Sequence, residues 1–324
     1  STHISRRALV FGAAQLGVIG ALGARMRFLQ VNEAEKYRLL AEENRINVRL
    51  LPPARGMLFD RVGRPIAVNT PNYRIIMVRE DAGDVDVVLA DLQKLIHVDP
   101  NDLVKARKEL KRRSAFVPVT ITENLEWDDF AKVAANTPVL PGILTEVGLS
   151  RIYPQNQNLA HVVGCVGPVS AYYLEQTQDE DPLLQIPRFQ VGKTGVEVQM
   201  EQHLRGKAGH QKLEVNAVGR VMRELDRVEG RPGAALKLTV DSKLQNYILA
   251  RMDGMSASAV VIDCTSGDLL AVGSTPAFDP NLFVRGISVN NYNGLRDDKF
   301  GPLRAKAVQG TYAPASTFKM VVAL

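Results

Sequence analysis

The stretch that decides the fold of this chain is Gly310-Thr311-Tyr312-Ala313-Pro314-Ala315-Ser316-Thr317-Phe318-Lys319-Met320. It places a serine three residues before a lysine, and residues three apart on a helix lie on one face. A serine hydroxyl is a weak nucleophile that needs a base to accept its proton. An amine becomes such a base when burial lowers its pKa, and the apolar residues 320–324 predict a buried helix. We therefore predict that Ser316 is a nucleophile and that Lys319 is its general base.

The residues in front of the serine strengthen this prediction. A Ser-x-x-Lys pair alone is weak evidence, because it arises by chance on many surface helices. Here Pro314 suits the first turn of a helix, so Ser316 is expected near free backbone N–H groups. Such groups can stabilise an oxyanion.

Residues 235–324 read as the module that carries this stretch. The run 236–240 alternates as a strand, and Asp241 is expected to cap the helix that follows. The runs 257–263 and 268–273 then predict a hairpin.

Residues 30–234 read as a separate α+β module. Within it, a hairpin is predicted around the turn 60–63, a helix over 85–96, a strand over 116–121, a helix over 125–135, a strand over 160–167 and a hairpin over 211–228.

Three short motifs are spread along this second module: Arg55-Gly56 with Asp60, Arg151-x-Tyr153-Pro154, and Gly192-x-x-Gly195-x-Glu197. Four of these residues are charged, with both signs, and lie far apart in sequence. We expect Arg55, Asp60, Arg151 and Glu197 to form one buried or half-buried ionic network. These motif residues are predicted to be structural rather than catalytic.

The amino-terminal residues predict export. Arg6 and Arg7 precede the uncharged run 8–24, which as a helix would rise about 25 Å against a bilayer core of about 30 Å. A membrane anchor and a cleaved signal peptide both fit, and either one exports the rest of the chain. As an anchor, the two arginines would keep the amino terminus cytoplasmic. Residues 33–45 read as a helix or helical linker.

Composition excludes several classes of function. The net charge is +5 from 40 basic and 35 acidic residues, which does not indicate a nucleic-acid partner. The basic run 105–113 reads as a solvated helix face. The two cysteines, Cys165 and Cys264, read as separate thiols, and no Cys/His cluster predicts a metal or cofactor site.

Taken together, the motifs resemble class B penicillin-binding proteins over the whole chain. Residues 310–320 are similar to the active-site serine motif of that family. The three upstream motifs resemble those of its non-catalytic pedestal domain, in the same order, and Leu238-Thr239-Val240-Asp241 resembles the start of its transpeptidase domain. The stretch 37–45 is similar to the elongation (rod-shape) branch rather than the division branch.

The resemblance implies an α+β chain with three parts. Residues 1–29 would be a cytoplasmic stub and a single transmembrane helix. Residues 30–234 would be an elongated pedestal (dimerisation-type) domain with a head subdomain at about 71–150. Residues 235–324 would be the incomplete start of an α/β, β-lactamase-like serine transpeptidase domain. Two further family motifs, Ser-x-Asn and Lys-Ser/Thr-Gly, are expected beyond residue 324.

The resemblance also implies an activity and partners. Ser316 would attack the D-Ala-D-Ala carbonyl of peptidoglycan stem peptides and pass the acyl group to a neighbouring strand during cell elongation, as D,D-transpeptidase or carboxypeptidase. β-Lactam antibiotics would acylate the same serine, and no cofactor would be needed. Expected partners are the inner membrane, a membrane glycosyltransferase of the shape/elongation family and a periplasmic scaffold protein. The bulk of the chain would be periplasmic, and the fragment as given is expected to be inactive.

Two alternative functions and two departures from the family pattern remain. A β-lactam sensor and a non-catalytic assembly scaffold of the elongation complex also fit parts of the pattern. Ala313 and Ala315 stand where proline and glycine are common in the family. Ala315 abuts the nucleophile, so the turn into its helix is expected to be altered.

Overall fold

The structure is a computed structural model that describes residues 6–27, 46–186, 188–216 and 221–324. The chain divides into two compact units, Ser1–Arg49 with Gln211–Arg227, and Leu50–His210 with Val228–Leu324. The predicted helical linker at 33–45, and with it the stretch 37–45, lies outside the described residues.

The strands, in chain order, are β1 (Ile46–Leu51), β2 (Leu58–Phe59), β3 (Pro65–Met77), β4 (Val119–Leu125), β5 (Ile143–Ile152), β6 (Val166–Pro168), β7 (Gln190–Gly192), β8 (Gly209–Val215), β9 (Val221–Val228), β10 (Leu236–Lys237), β11 (Ala257–Ile262) and β12 (Leu269–Thr275). The α-helices are Arg6–Arg27, Arg79–Ala82, Val85–Leu95, Pro100–Arg112, Trp127–Asn136, Ala160–Val163, Ala171–Thr177, Gly195–Gln199, Glu201–Arg205, Ser242–Arg251, Val289–Asp297, Lys306–Gln309 and Lys319–Val322.

The first unit contains the amino-terminal helix and a three-stranded sheet. The sheet has the order β1-β8-β9, so the hairpin predicted over 211–228 is confirmed. The segment that was expected to cross a membrane is helical from Arg6 to Arg27. Across the stretches that the structure describes, no helix combines the length and the hydropathy that a membrane crossing requires.

In the second unit, residues 65–152 fold as a sheet covered by helices. Strand β3 pairs antiparallel with β4 on one side and with β5 on the other. The helices Val85–Leu95 and Pro100–Arg112 begin where Asp84 and Asp99 accept hydrogen bonds from the first backbone N–H groups. Their apolar faces pack with the sheet into one core, which contains Leu89, Leu92, Leu103, Leu110, Ile75, Ile121 and Ile143. The basic run 105–113 therefore lies mostly on an exposed helix face, as predicted.

A second hydrophobic core lies around strands β2, β3 and β10. Strand β2 pairs antiparallel with β3 across the predicted turn, and parallel with the distant strand β10. Apolar side chains from these elements meet those of the segment 153–166, and the core contains Leu58, Ile66, Tyr153, Leu159, Val163, Val166, Leu204 and Val240. This core fixes the three motifs next to the start of the module 235–324.

One strand prediction was wrong. Residues 160–167 were expected to be a strand, but Ala160–Val163 is a helical turn and only Val166–Pro168 is a strand. The turn ends at Gly164, which has a φ of 80°. A side chain there would meet the carbonyl oxygen of Thr194, so the close approach of this backbone overrides the β-propensity of the valines.

In the module 235–324, the strand predicted over 236–240 is limited to Leu236–Lys237, and the helix and hairpin that follow are confirmed. Asp241 accepts hydrogen bonds from Lys243 and Leu244 at the start of the helix Ser242–Arg251. Strands β11 and β12 pair antiparallel as the predicted hairpin. Cys165 is buried and Cys264 is exposed, and both are free thiols as predicted.

Candidate functional site

Ser316 and Lys319 lie on consecutive turns. Ser316 is in a single 3₁₀ turn, Ala315–Phe318, and the helix Lys319–Val322 follows directly. The backbone N–H of Lys319 donates to the carbonyl oxygen of Ser316. Side chains three apart eclipse each other in a 3₁₀ turn, so this bond sets Ser316 and Lys319 on one side of the backbone. Neither side chain has a hydrogen-bond partner among the residues that the structure describes.

The burial expected for this segment is not seen in this chain. Residues 309–324 are exposed, and the apolar side chains of Met320, Val321 and Val322 are more than half accessible. In the described part of the chain, no element packs over this helix. The geometry of the pair is therefore present, while the apolar surroundings expected around the Lys319 amine are not seen in this chain.

The turn begins in an unusual backbone conformation. Ala315 has a φ of 45°, in the left-handed region. That region costs an L-residue about 1–2 kcal/mol, and glycine enters it without this cost. Thr317 Oγ1 donates to the carbonyl oxygen of Pro314 and so helps to hold the turn.

We predict that Ala315→Gly stabilises this turn by about 1 kcal/mol, or roughly fivefold in the equilibrium between turn and open segment, because glycine removes the positive-φ cost. Amide hydrogen exchange at Lys319, whose N–H closes the turn, should slow by that factor. Ala323→Gly is the matched control, since Ala323 has a φ of −85° and gains nothing. If the Lys319 amide exchanges as fast as in the parent, or faster, in Ala315→Gly, the predicted backbone strain at Ala315 is contradicted.

The pedestal motifs meet in a buried set of charges, here called the charge cluster and made of Arg55, Arg151, Glu197, Glu201 and Arg205. Glu197 is fully buried and accepts from Arg55 Nε at 2.7 Å and from Arg151 Nε at 2.8 Å. Glu201 accepts from Arg55 Nη2 at 2.6 Å and from Arg205 Nε at 2.9 Å. Each buried carboxylate is thus held by two guanidinium groups, which offsets the cost of taking charge out of water.

Ionisation in the charge cluster follows from these contacts. Burial alone would raise the pKa of Glu201, but the charge and hydrogen bond of Arg55, together with the Gly192 N–H and Arg205, hold this pKa below its ordinary value. Burial would lower the pKa of Arg55, and Glu197 and Glu201 raise it above its ordinary value. Arg55 and Glu201 are therefore ionised around neutral pH.

Tyr153 extends the charge cluster. Its hydroxyl donates to Glu197 Oε1 at 3.2 Å and accepts from the backbone N–H of Val166 at 2.9 Å. Burial, and then the nearby charge of Glu197, raise the pKa of Tyr153 well above its ordinary value. The tyrosine is therefore a neutral hydrogen-bonding bridge.

Asp60 does not join this network, which corrects the expectation of one ionic set. Its carboxylate is fully buried and accepts from Ser242 Oγ at 2.6 Å and from the backbone N–H groups of Val62 and Arg64. Burial would raise the pKa of Asp60, but the hydrogen bonds from Ser242, Arg64 and Val62 lower it. Asp60 thus fastens the first motif to the start of the helix Ser242–Arg251.

The three motif glycines serve the same assembly. Gly56 donates to the carbonyl oxygen of Leu204 and accepts from Arg151 Nη1 at 2.8 Å. The N–H of Gly192 donates to Glu201 Oε2 at 2.8 Å. Gly195 begins the helix Gly195–Gln199 with a φ of 59°.

Sequence reasoning missed Glu201, Arg205 and Asn69. Asn69 donates to the carbonyl oxygen of Arg55 at 2.6 Å and accepts from Arg151 Nη1 at 3.3 Å. Glu201 and Arg205 follow Glu197 at steps of four, and that spacing places them on one face of a helical segment. This periodicity is the signal that could have identified two of the three.

The chain is similar to known proteins over its whole length. Residues 50–238 match the family described as “Penicillin-binding Protein dimerisation domain”, and residues 257–324 match “Penicillin binding protein transpeptidase domain”. Peptidoglycan D,D-transpeptidase MrdA of Escherichia coli K12 is 37% identical over 320 residues, which are 98% of this chain and 51% of that protein. MrdA of Haemophilus influenzae is 32% identical over 321 residues, or 99% of this chain and 49% of that protein.

Solved structures agree with this similarity. The complex between penicillin-binding protein PBP2 and MreC from Helicobacter pylori matches with a TM-score of 0.70 at 26% identity, covering 86% of this chain and 52% of that chain. PBP2 from the same organism, solved alone, matches with a TM-score of 0.67 at the same identity. The chain spans about half the length of the relatives that it matches.

Proposed function

The chain belongs to the penicillin-binding proteins, and from that premise we propose that the protein it spans in part is a peptidoglycan D,D-transpeptidase with Ser316 as its acylated nucleophile. The predicted resemblance to class B members of the PBP2 branch is confirmed by the relatives. The observation that carries the proposal is the Ser316–Lys319 turn, which lies inside the part that matches the transpeptidase family.

The proposed reaction has two steps. The Lys319 amine accepts the proton of the Ser316 hydroxyl, whose oxygen attacks the carbonyl between two D-alanines of a stem peptide. The peptide bond breaks, the terminal D-alanine leaves with a proton on its amine, and an acyl-serine remains. An amine of a neighbouring strand then takes the acyl group and restores the serine. Water in place of that amine gives the carboxypeptidase reaction, and a β-lactam acylates the same oxygen.

Penicillin labelling of the full-length protein tests the proposal. Ser316→Ala should abolish covalent labelling by a fluorescent penicillin, because no nucleophile remains. Lys319→Ala should slow labelling by about 10²–10⁴-fold, which is what a positioned general base contributes. Thr317→Ser, which keeps a hydroxyl beside the site, is the matched control and should label at the parent rate. Labelling that survives Ser316→Ala would remove this serine from its role.

We also propose a location and partners for the full-length protein. The flanking arginines and the uncharged run 8–24 support a membrane anchor, with the bulk of the chain on the periplasmic face of the inner membrane. The PBP2 relative forms a complex with MreC, which supports a similar scaffold protein as partner of the pedestal. A membrane glycosyltransferase of the elongation machinery is the third proposed partner. Co-purification of each partner with the membrane fraction would test these assignments. Deletion of residues 1–29 or removal of the pedestal should abolish this co-purification.

A further inference from the structure

Residues 153–161 connect the charge cluster to the module 235–324 and are here called the linking segment. They follow β5 directly, and their first residue, Tyr153, reaches Glu197 through its hydroxyl. Side chains from three separate places in the module 235–324 hold this segment. None of these contacts was anticipated from the sequence.

The first contact is made by Asn281. Its Oδ1 accepts from the backbone N–H of Tyr153 at 2.9 Å, and its Nδ2 donates to the carbonyl oxygen of Tyr153 at 3.1 Å. A single amide side chain thus pairs with both backbone groups of one residue, as a neighbouring strand would. The same Nδ2 also donates to Asn156 Oδ1 at 3.2 Å. This arrangement fixes both the distance and the orientation between Tyr153 and the turn Pro280–Phe283.

The second contact repeats this arrangement with Gln245. Its side chain is almost fully buried, donates to the carbonyl oxygens of Asn158 and Val272, and accepts from the Val272 N–H at 2.8 Å. Asn246 adds a hydrogen bond to Gln155 at 2.9 Å and one from Asn158 at 3.0 Å. The linking segment is therefore attached to β12 through the helix Ser242–Arg251.

One route reaches the helix Lys306–Gln309, and another reaches the segment just before it. Along β12, Ser274 Oγ accepts from the backbone N–H of Ala307 at 3.0 Å. From the linking segment itself, His161 Nε2 lies 2.8 Å from the carbonyl oxygen of Pro302, and its ring packs edge-on against Phe278. This helix ends at Gln309, just before the stretch that leads to the Ser316 turn.

We propose that Gln245 and Asn281 are positioning residues that set the orientation of the nucleophile turn from the pedestal side. The proposal rests on the proposed acylation of Ser316. Gln245 is a buried amide, so a shift would leave a buried polar group unpaired. Asn281 is half-buried and is held because it pairs with both backbone groups of Tyr153. A change of pose in the charge cluster is therefore carried through the linking segment to β12 and to the helix Lys306–Gln309, rather than absorbed at the junction.

The test uses the full-length protein and stopped-flow acylation by a fluorescent penicillin, at a temperature where each variant is folded. Gln245→Ala and Asn281→Ala should each lower the limiting acylation rate constant by about tenfold or more, with the half-saturating penicillin concentration unchanged. Amide exchange in residues 301–309 should rise in both variants. Asn136→Ala is the matched control, because the side-chain amide of the half-buried Asn136 donates a solvent-exposed hydrogen bond within its own helix.

A second control separates positioning from stability. Ile121→Val removes a methylene from the core formed by β3, β4 and β5, far in sequence from the linking segment, and lowers the melting temperature without touching an amide. It should acylate at the parent rate. If Ile121→Val slows acylation as much as the amide variants do, or if those variants acylate at the parent rate, the positioning role is refuted.

Two further results have distinct consequences for the proposal. If the alanine variants do not fold, Asn246→Ala replaces them, since Asn246 is half-buried and its side chain forms hydrogen bonds with Gln155 and Asn158 of the linking segment. This variant should slow acylation two- to fivefold, and the parent rate would refute the proposal. If the parent protein is not labelled, or Ser316→Ala is labelled, the proposed function fails instead.

Discussion

Glu197→Gln should lower the free energy of unfolding by about 3–5 kcal/mol, which is the cost of breaking a buried ion pair from one side. The substitution keeps the shape of the side chain and removes the charge that both Arg55 and Arg151 face. The Arg151 side chain is 1% exposed, so water cannot replace the lost carboxylate. One amide hydrogen of the new glutamine would also point at a guanidinium donor. Urea unfolding of the chain, followed by tryptophan fluorescence, measures the loss.

Asp91→Asn is the matched control for this prediction. Asp91 pairs with Lys94 at 2.8 Å, but the two side chains are 43% and 74% exposed. Exposed pairs contribute about 0–1 kcal/mol, so this variant should unfold close to the parent midpoint. A Glu197→Gln variant as stable as Asp91→Asn would mean that the charge cluster does not stabilise the fold.

Gly56→Ala should be strongly destabilising. A Cβ at this position would lie 2.0 Å from the carbonyl oxygen of Ala234 and 3.1 Å from the carbonyl carbon of Gly233, and both neighbours are backbone. Relief would require the segment after β9 to move away from the first motif, which breaks the bond from Gly56 to Leu204. We expect a loss at or above the upper end of the usual 1–3 kcal/mol for overpacking.

The same substitution at Gly294 has the opposite expected sign. Gly294 lies in the helix Val289–Asp297, is exposed, and a Cβ there would meet no atom within 4 Å. Alanine should therefore stabilise by about 0.5–1 kcal/mol through helix propensity. Thermal unfolding of the two variants side by side compares them, and a Gly56→Ala melting temperature at or above that of the parent would contradict the predicted clash.

Local patterns predicted local structure well. The hairpins at 211–228 and 257–273 and the cap of the helix after Asp241 depend on residues a few positions apart, and these predictions hold. The identities of charge partners depend on the path of the whole chain. Asp60 accepts a hydrogen bond from Ser242 across 182 positions and pairs with its neighbour Arg64, not with Arg55 or Arg151. Nothing near Asp60 in the sequence indicates the contact with Ser242.

The nucleophile stretch shows the same contrast between local structure, which the sequence predicts, and long-range contacts, which it does not. Its helical character and the spacing of Ser316 and Lys319 follow from local sequence, and the structure has both. Burial depends on which elements pack over a helix, and the apolar residues 320–324 do not indicate which elements these are. The wrong strand at 160–167 had a similar cause, because the close approach of Thr194 to Gly164 is a contact between segments thirty positions apart.

The parallel pairing of β2 with β10 has a consequence for the order of folding. Leu58 pairs with Leu236, and Arg61 donates to the carbonyl oxygen of Val240. The ribosome makes a chain from its amino end, so residues 55–64 are synthesised long before the residues that complete their strand and bury Asp60. Contacts of such separation form late, because the entropy of closing the loop is lost before they stabilise it. The pairing of β2 with β10 is thus among the last to form. Until then Leu58 and Phe59, which can already pair with β3, have one strand edge open to association with other chains.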